Sequence, residues 1–280
     1  MQQDSSPDAR PEAAKIRITA LNSTILFVLA YLVANGAYQL ATVVVADQLH
    51  IPGVWHLSRI EFLIANKQWW YEAVLSVYGA GPLACLGLML AATVAFWKWA
   101  RLQRGLFKLF VLWVALHACN QLLGNVMAGT LTQSGFWFVP SYLFRMGHLP
   151  SVVLAILAGV LEIVMGYFAA IAFLQSHDSI TLMRFENRGK LIWWNIFVPW
   201  LAGSAVLALL KWPDLTINER LTFVTLLLLL GPMALGCANE LMEPIIEQPK
   251  KTQLALGLAL LTAAALIGWR IVLGHGISFS

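Results

Sequence analysis

The chain has 280 residues, of which 59% are apolar and 11% charged, against roughly 25% charged in an ordinary soluble domain. A soluble fold of this length could not bury so much apolar surface, and its apolar runs of about 20 residues match the thickness of a bilayer core crossed as a helix. The net charge of +4 is no nucleic-acid signal, because the 18 Lys and Arg residues sit mainly between apolar runs, where they orient helices rather than grip phosphate. The composition predicts an all-α fold: a polytopic integral membrane helical bundle of about seven transmembrane helices plus an interfacial helix.

In chain order, residues 1–15 are polar and Pro-containing and read as a disordered tail, leaving residues 16–280 as a single transmembrane domain. The tail is not a signal peptide, because its mixed-charge start leads into an apolar span too long for one. Hydropathy predicts spans at 18–46, 71–97, 106–131, 151–175, 191–211, 221–239 and 253–274. Between the first two lies PGVWHLSRIEFLIANKQWWY. Trp55, Ile60, Leu63 and Ile64 approximate one helical face there, with Arg59, Glu61 and Lys67 in other directions. This predicts an interfacial helix ending in the aromatic anchor Trp69-Trp70-Tyr71. A second interfacial or re-entrant piece, SGFWFVPSYLFRMG, precedes the fourth span. Cys85, Cys119 and Cys237 all fall inside apolar segments and read as small core residues.

With seven spans, the N-terminal side carries twelve Lys and Arg residues: Arg10, Lys15, Arg17, Lys98, Arg101, Arg104, Lys108, Arg184, Arg188, Lys190, Lys250 and Lys251. The other side carries six: Arg59, Lys67, Arg145, Lys211, Arg220 and Arg270. The positive-inside rule therefore predicts a cytoplasmic N-terminus and an external C-terminus, in a bacterial inner membrane.

The third span is unusually polar. His117, Asn120, Gln121, Gly124, Asn125 and Ala128 fall within about 140° on a helical wheel, an arc that faces protein rather than lipid. The amides read either as a site lining or as interhelical hydrogen-bonding glue, worth about 0.6 kcal/mol per contact on average. Glu162, in LAGVLEIVMGYF, sits mid-span with no charge for ten or more residues on either side, the usual mark of a functional intramembrane group. The third and fourth spans are consecutive and antiparallel, so His117 and Glu162 could meet at one depth, as an ion pair or proton relay. The alternative is a neutral acid donating one hydrogen bond. Arg270 lies near its helix end and can snorkel, and Asn239 and Glu240 read as a polar helix end. Pro82, Pro199 and Pro232 should kink their helices, and Gly79 and Gly81 allow close packing. There is no HExxH helix, nucleotide loop or GxSxG elbow. Ser134 has no geometric link to His148, and His56, His117 and His148 lack a metal or haem spacing.

Three stretches resemble the core of the site-2 metalloproteases, the intramembrane zinc proteases. The stretch 125–135, NVMAGTLTQSG, resembles that family's N-x-x-P-x-x-x-L-D-G-G segment, with Asn125 on its asparagine, Gln133 on its aspartate ligand and Gly135 on its last glycine. AGPLACLGLMLAA at 80–92 resembles its AGP-L-x-N segment, and YQLATVVVADQLHI at 38–51 lines up with HExxHxxxAxxxGI. Tyr38 and Thr42 then replace the two histidines and Gln39 the glutamate. The resemblance implies a relative without zinc, activated water or general base, and so without protease activity. The family's HExxH helix runs from outside inward, opposite to the direction that the charge count gives the first span.

The expected function is that of a non-enzymatic multi-pass inner-membrane protein, structural or partner-binding, with a pseudoprotease that holds a transmembrane partner as one version. No cofactor or nucleic acid is expected. The partners are the lipid bilayer and a transmembrane protein or a second copy of the chain. A proton-coupled carrier using Glu162 and His117 is the alternative, followed by a metal or haem enzyme with His117 as ligand.

Overall fold

The computed structural model describes residues 12–144, 149–178, 185–240 and 253–280. From the N-terminus, α1 (Glu12–Gln48) leads to strands β1 (Gly53–Trp55) and β2 (Ile60–Phe62), then to α2 (Tyr71–Lys98), α3 (Phe107–Thr132), the short α4 (Phe138–Phe144) and α5 (Leu149–Gln175). The next crossing joins α6 (Phe185–Ile192), a π-helical turn (Trp193–Phe197) and α7 (Val198–Leu210). It is followed by α8 (Ile217–Thr225) with α9 (Leu227–Cys237), then by α10 (Leu256–Gly274) and β3 (Ile277–Phe279). Among the described residues, seven helical segments are long and apolar enough to cross a membrane, so the chain is a multi-pass integral membrane protein with an all-α bundle.

Helices α1, α2 and α3 pack on one another, α5 packs against α3 and α9, and α3 also meets α8. The central helix is α3, whose polar stripe is enclosed on all sides. The lipid-facing surfaces are the reverse: Leu149, Ile156, Val160 and Phe168 on α5 and Leu256, Leu260 and Ile271 on α10 are exposed. Lipid tails are as apolar as these side chains, so helix association rests on close packing and polar contacts rather than on escape from water. Gly166 illustrates the packing, because a Cβ there would run into the carbonyl of Leu229 on the neighbouring helix.

Each face of the bundle is tied by polar contacts. On the N-terminal face, Asn22 of α1 donates to the carbonyl of Gln253 (2.8 Å) and accepts from the amide of Ala255 (3.0 Å). There too, Lys108 pairs with Asp178 at 2.5 Å, and the Gly105 amide donates to the same carboxylate at 2.6 Å. On the opposite face, β2, β1 and β3 form a three-stranded antiparallel sheet in that order.

That sheet corrects one expectation. Residues 53–62 form a β-hairpin rather than an interfacial helix, with a single 3-10 turn at Asn66–Gln68 after it. Trp55 and Ile60 do share a face, but as cross-strand partners, and the hairpin gains its third strand from the far end of the chain. The second piece expected at the interface is helical, as α4. Helix α1 begins at Glu12, so the last residues of the expected tail are helical. Residues 1–11, like Arg145 and His148, lie outside the described residues.

Candidate functional site

A cavity of about 370 Å³ lies at the sheet-bearing face, between α1, α3 and α8. Its α1 wall carries Tyr31, Asn35, Tyr38, Gln39 and Thr42, and its α3 wall carries Gln121 and Asn125. Thr216, Asn218, Glu219 and Thr222 come from the start of α8, Ser58, Arg59, Ile60 and Phe62 from the hairpin, and Ser134, Gly135 and Phe138 from the turn into α4. A 3.6-residue period explains the α1 wall: positions 31, 35, 38, 39 and 42 repeat at three- and four-residue intervals and share one face. The hairpin is fixed over it by Trp55, whose indole donates to the Gln39 side chain at 3.0 Å. Tyr78 and Phe138 meet on another wall, their rings tilted by 44° with centres 5.0 Å apart.

At the inner end lies an ion pair. Lys211, fully buried just past the end of α7, donates to the Glu219 carboxylate and to the Tyr31 hydroxyl, the latter at 2.9 Å. Its ammonium also lies over the Tyr31 ring, 5.1 Å from the centre. Burial on its own would lower the lysine pKa. Tyr31 and Glu219 beside it outweigh that effect and raise it above the ordinary lysine value. Through these two contacts Lys211 anchors Glu219 and Tyr31. Glu219 is held at the start of α8 by its own amide, which donates to the Thr216 hydroxyl at 3.2 Å in an N-cap contact.

The structure sorts the polar residues singled out in the sequence. Asn120 is interhelical glue: its amide nitrogen donates to the Thr222 carbonyl at 2.8 Å and its oxygen accepts from the Thr225 hydroxyl at 3.0 Å. Gln121 and Asn125 are hydrogen-bonded to each other at 2.8 Å and reach the cavity, where Asn218 also meets Asn125 at 3.4 Å. His117 is buried among Phe27, Tyr31 and Trp113, with ring centres 4.4, 5.6 and 6.1 Å away, and its Nε2 has no hydrogen-bond partner among the described residues. Glu162 is fully buried on α5, and among the described residues neither carboxyl oxygen has a partner. The expected meeting of His117 and Glu162 does not occur: they share no hydrogen bond or ion pair, and neither lines the cavity.

The positions that carry the family resemblance do come together. Tyr38, Gln39, Thr42 and Asn125 all line the cavity, and a Cβ on Gly81 of the AGP segment would touch the Tyr38 ring at 2.8 Å and the Thr42 hydroxyl at 2.9 Å. Gln133 departs from the group, since it caps α3 in the left-handed conformation (φ 52°) and is exposed outside the cavity lining. Among the described residues, no three His, Cys, Asp or Glu side chains gather as a metal site would require.

The residues that sequence reasoning missed are Lys211 and Glu219, read there as a loop charge and not at all. The signal was present: Lys211 closes an apolar run, and TINE at 216–219 is a capping-box pattern, which puts a carboxylate one short turn from that lysine. No family model matches this chain, no curated protein matches it in sequence, and no solved structure matches it.

Proposed function

We propose that this chain is a non-enzymatic membrane protein that works by binding, and that its cavity receives an extended segment of a transmembrane protein partner. One observation carries this reading: Tyr38, Gln39, Thr42 and Asn125, from two helices, converge on one cavity whose wall also includes the edge strand β2. An edge strand offers unpaired main-chain groups to an added strand, and the amide and hydroxyl side chains around it suit hydrogen bonding to a peptide. The Lys211–Glu219 pair gives the inner wall rigidity. On this reading the chain is a metal-free relative of the intramembrane zinc proteases, in which positions that resemble a ligand helix bind instead of cutting.

The charge count supports an N-terminus in the cytoplasm and a cavity on the outer side. A carrier built on Glu162 and His117 has less support, because among the described residues neither Glu162 oxygen has a hydrogen-bond partner and neither residue lines the cavity.

The test is purification from native membranes in mild detergent, comparing the wild type with Ser134→Trp, which blocks the cavity mouth. The reading requires a near-stoichiometric membrane polypeptide that accompanies the wild type and is lost from the variant, with the variant's elution profile unchanged. A polypeptide retained equally by both, or none with either, contradicts it.

A further inference from the structure

We infer that the inner half of the cavity is a subsite for an uncharged amide, either a main-chain peptide unit or a carboxamide side chain, bound between Asn35 and Glu219. This rests on the reading that the cavity is a binding site, and it specifies the chemistry of the occupant. Three side-chain polar atoms on the cavity wall are buried and have no hydrogen-bond partner among the described residues: Asn35 Nδ2, Ser58 Oγ and Glu219 Oε2. The residues that carry them are 5%, 7% and 9% exposed. A buried polar group left unpaired costs about 1–3 kcal/mol, and folded proteins leave few of them. Other buried atoms elsewhere in the bundle are also unpaired, both Glu162 oxygens among them, but these three share the wall of one cavity, where a ligand would complete their bonding.

The identities of the atoms define the ligand. Asn35 Nδ2 can only donate. Glu219 Oε2 belongs to a carboxylate whose other oxygen is paired with Lys211, so it can only accept. The occupant must therefore offer an acceptor and a donor together, which an amide does with its C=O and N–H. The terminal torsions of Asn and Glu are broad, so both groups can turn toward the cavity without leaving their rotamers. Both residues line the same cavity. Tyr31 and Asn35 are one helical turn apart, about 6 Å along α1, and Tyr31 is joined to Glu219 through Lys211. An amide that makes one bond at each end bridges groups roughly 8 Å apart.

Charge selects against ions. The Lys211–Glu219 pair is balanced, and Arg59 at the rim is paired with Glu61 at 3.3 Å. An ammonium or carboxylate in the inner half would bring an uncompensated charge into an enclosed site. The aromatic rings of Tyr38, Tyr78 and Phe138 could also stack on a sugar, but the edge strand on the same wall favours a peptide.

The experiment measures the thermal unfolding of the purified full chain in detergent against four probes: N-acetylglycinamide, glycinamide, N-acetylglycine and maltose. The inference predicts saturable stabilisation by N-acetylglycinamide, with an affinity roughly tenfold or more above that for either charged probe. Asn35→Leu should weaken it by about tenfold, the worth of one hydrogen bond, and Asn35→Asp should weaken it as well by turning the donor into an acceptor. Glu162→Gln should leave it unchanged. Equal responses to all probes, tightest binding of maltose or of a charged probe, or an effect insensitive to both Asn35 variants would overturn the inference. A polypeptide lost with Ser134→Trp but no preference for the neutral amide would leave the binding reading standing and remove this subsite.

Discussion

Removing the charge of Lys211 is the most informative perturbation of the fold around the cavity. Lys211→Met keeps most of the side-chain volume but leaves the Glu219 carboxylate without its cation and Tyr31 without a donor. Breaking one partner out of a buried ion pair costs about 3–5 kcal/mol, and the lost bond to Tyr31 adds about 1 kcal/mol. The double variant Lys211→Met, Glu219→Leu removes both charges and should recover most of this loss, because a buried pair replaced by apolar groups is often neutral or better. The assay is reversible unfolding in mixed micelles at rising SDS, run as a double-mutant cycle. The sign of the pH effect follows from the raised lysine pKa. The ammonium's contribution is complete at neutral pH and up to the ordinary lysine value of 10.5, and it is lost only as pH climbs through the raised value. If Lys211→Met unfolds within about 0.5 kcal/mol of the wild type, or if the double variant is as unstable as the single one, the pair does not organise the inner wall.

Other outcomes follow from the same contacts. Burial pushes His177 down to about 4, with its Nδ1 bonded to the Phe173 carbonyl at 3.0 Å. Stability should therefore fall as pH drops from the ordinary value of 6.5 toward 4, by something of the order of 3 kcal/mol, and unfolding of His177→Gln against pH should lack that slope. Gly166→Val forces a side chain into the Leu229 carbonyl and should cost about 1–3 kcal/mol, read by the same SDS titration, whereas Gly268→Ala, with open space around it, should be nearly silent. Asn120→Leu gives up two interhelical bonds and should lose about 1 kcal/mol. Glu162→Gln should leave stability and partner binding unchanged, as expected of a packing acid, and a loss of solute flux in reconstituted vesicles would instead favour the carrier.

The seven crossings were legible because span-length apolar runs have one reading, and even the π-helical turn and Pro199 in the fifth crossing left its hydropathy intact. The hairpin was not. Its strands are three residues long, Trp55 and Ile60 mimic a helical face, and the strand that completes the sheet lies more than 200 residues away. The candidate site was half legible. The stripe on α3 correctly pointed inward, but depth alone suggested that His117 and Glu162 would meet, whereas rotation about the helix axes decides contact: His117 faces Phe27 and Tyr31 on α1. The capping-box pattern at 216–219 placed Glu219 at a helix start, but it did not pair that residue with Lys211, because a charge between spans looks the same whether it reaches solvent or folds back under a helix end.

The most direct measurement of the binding claim is site-specific photo-crosslinking in native membranes. A photoreactive phenylalanine analogue replaces Phe138 on the cavity wall and, as a control, Leu260, which is 72% exposed on the outer surface of α10. The account predicts a polypeptide adduct at position 138 that disappears with Ser134→Trp and is absent at position 260. An adduct at both positions, or none at position 138, would contradict it.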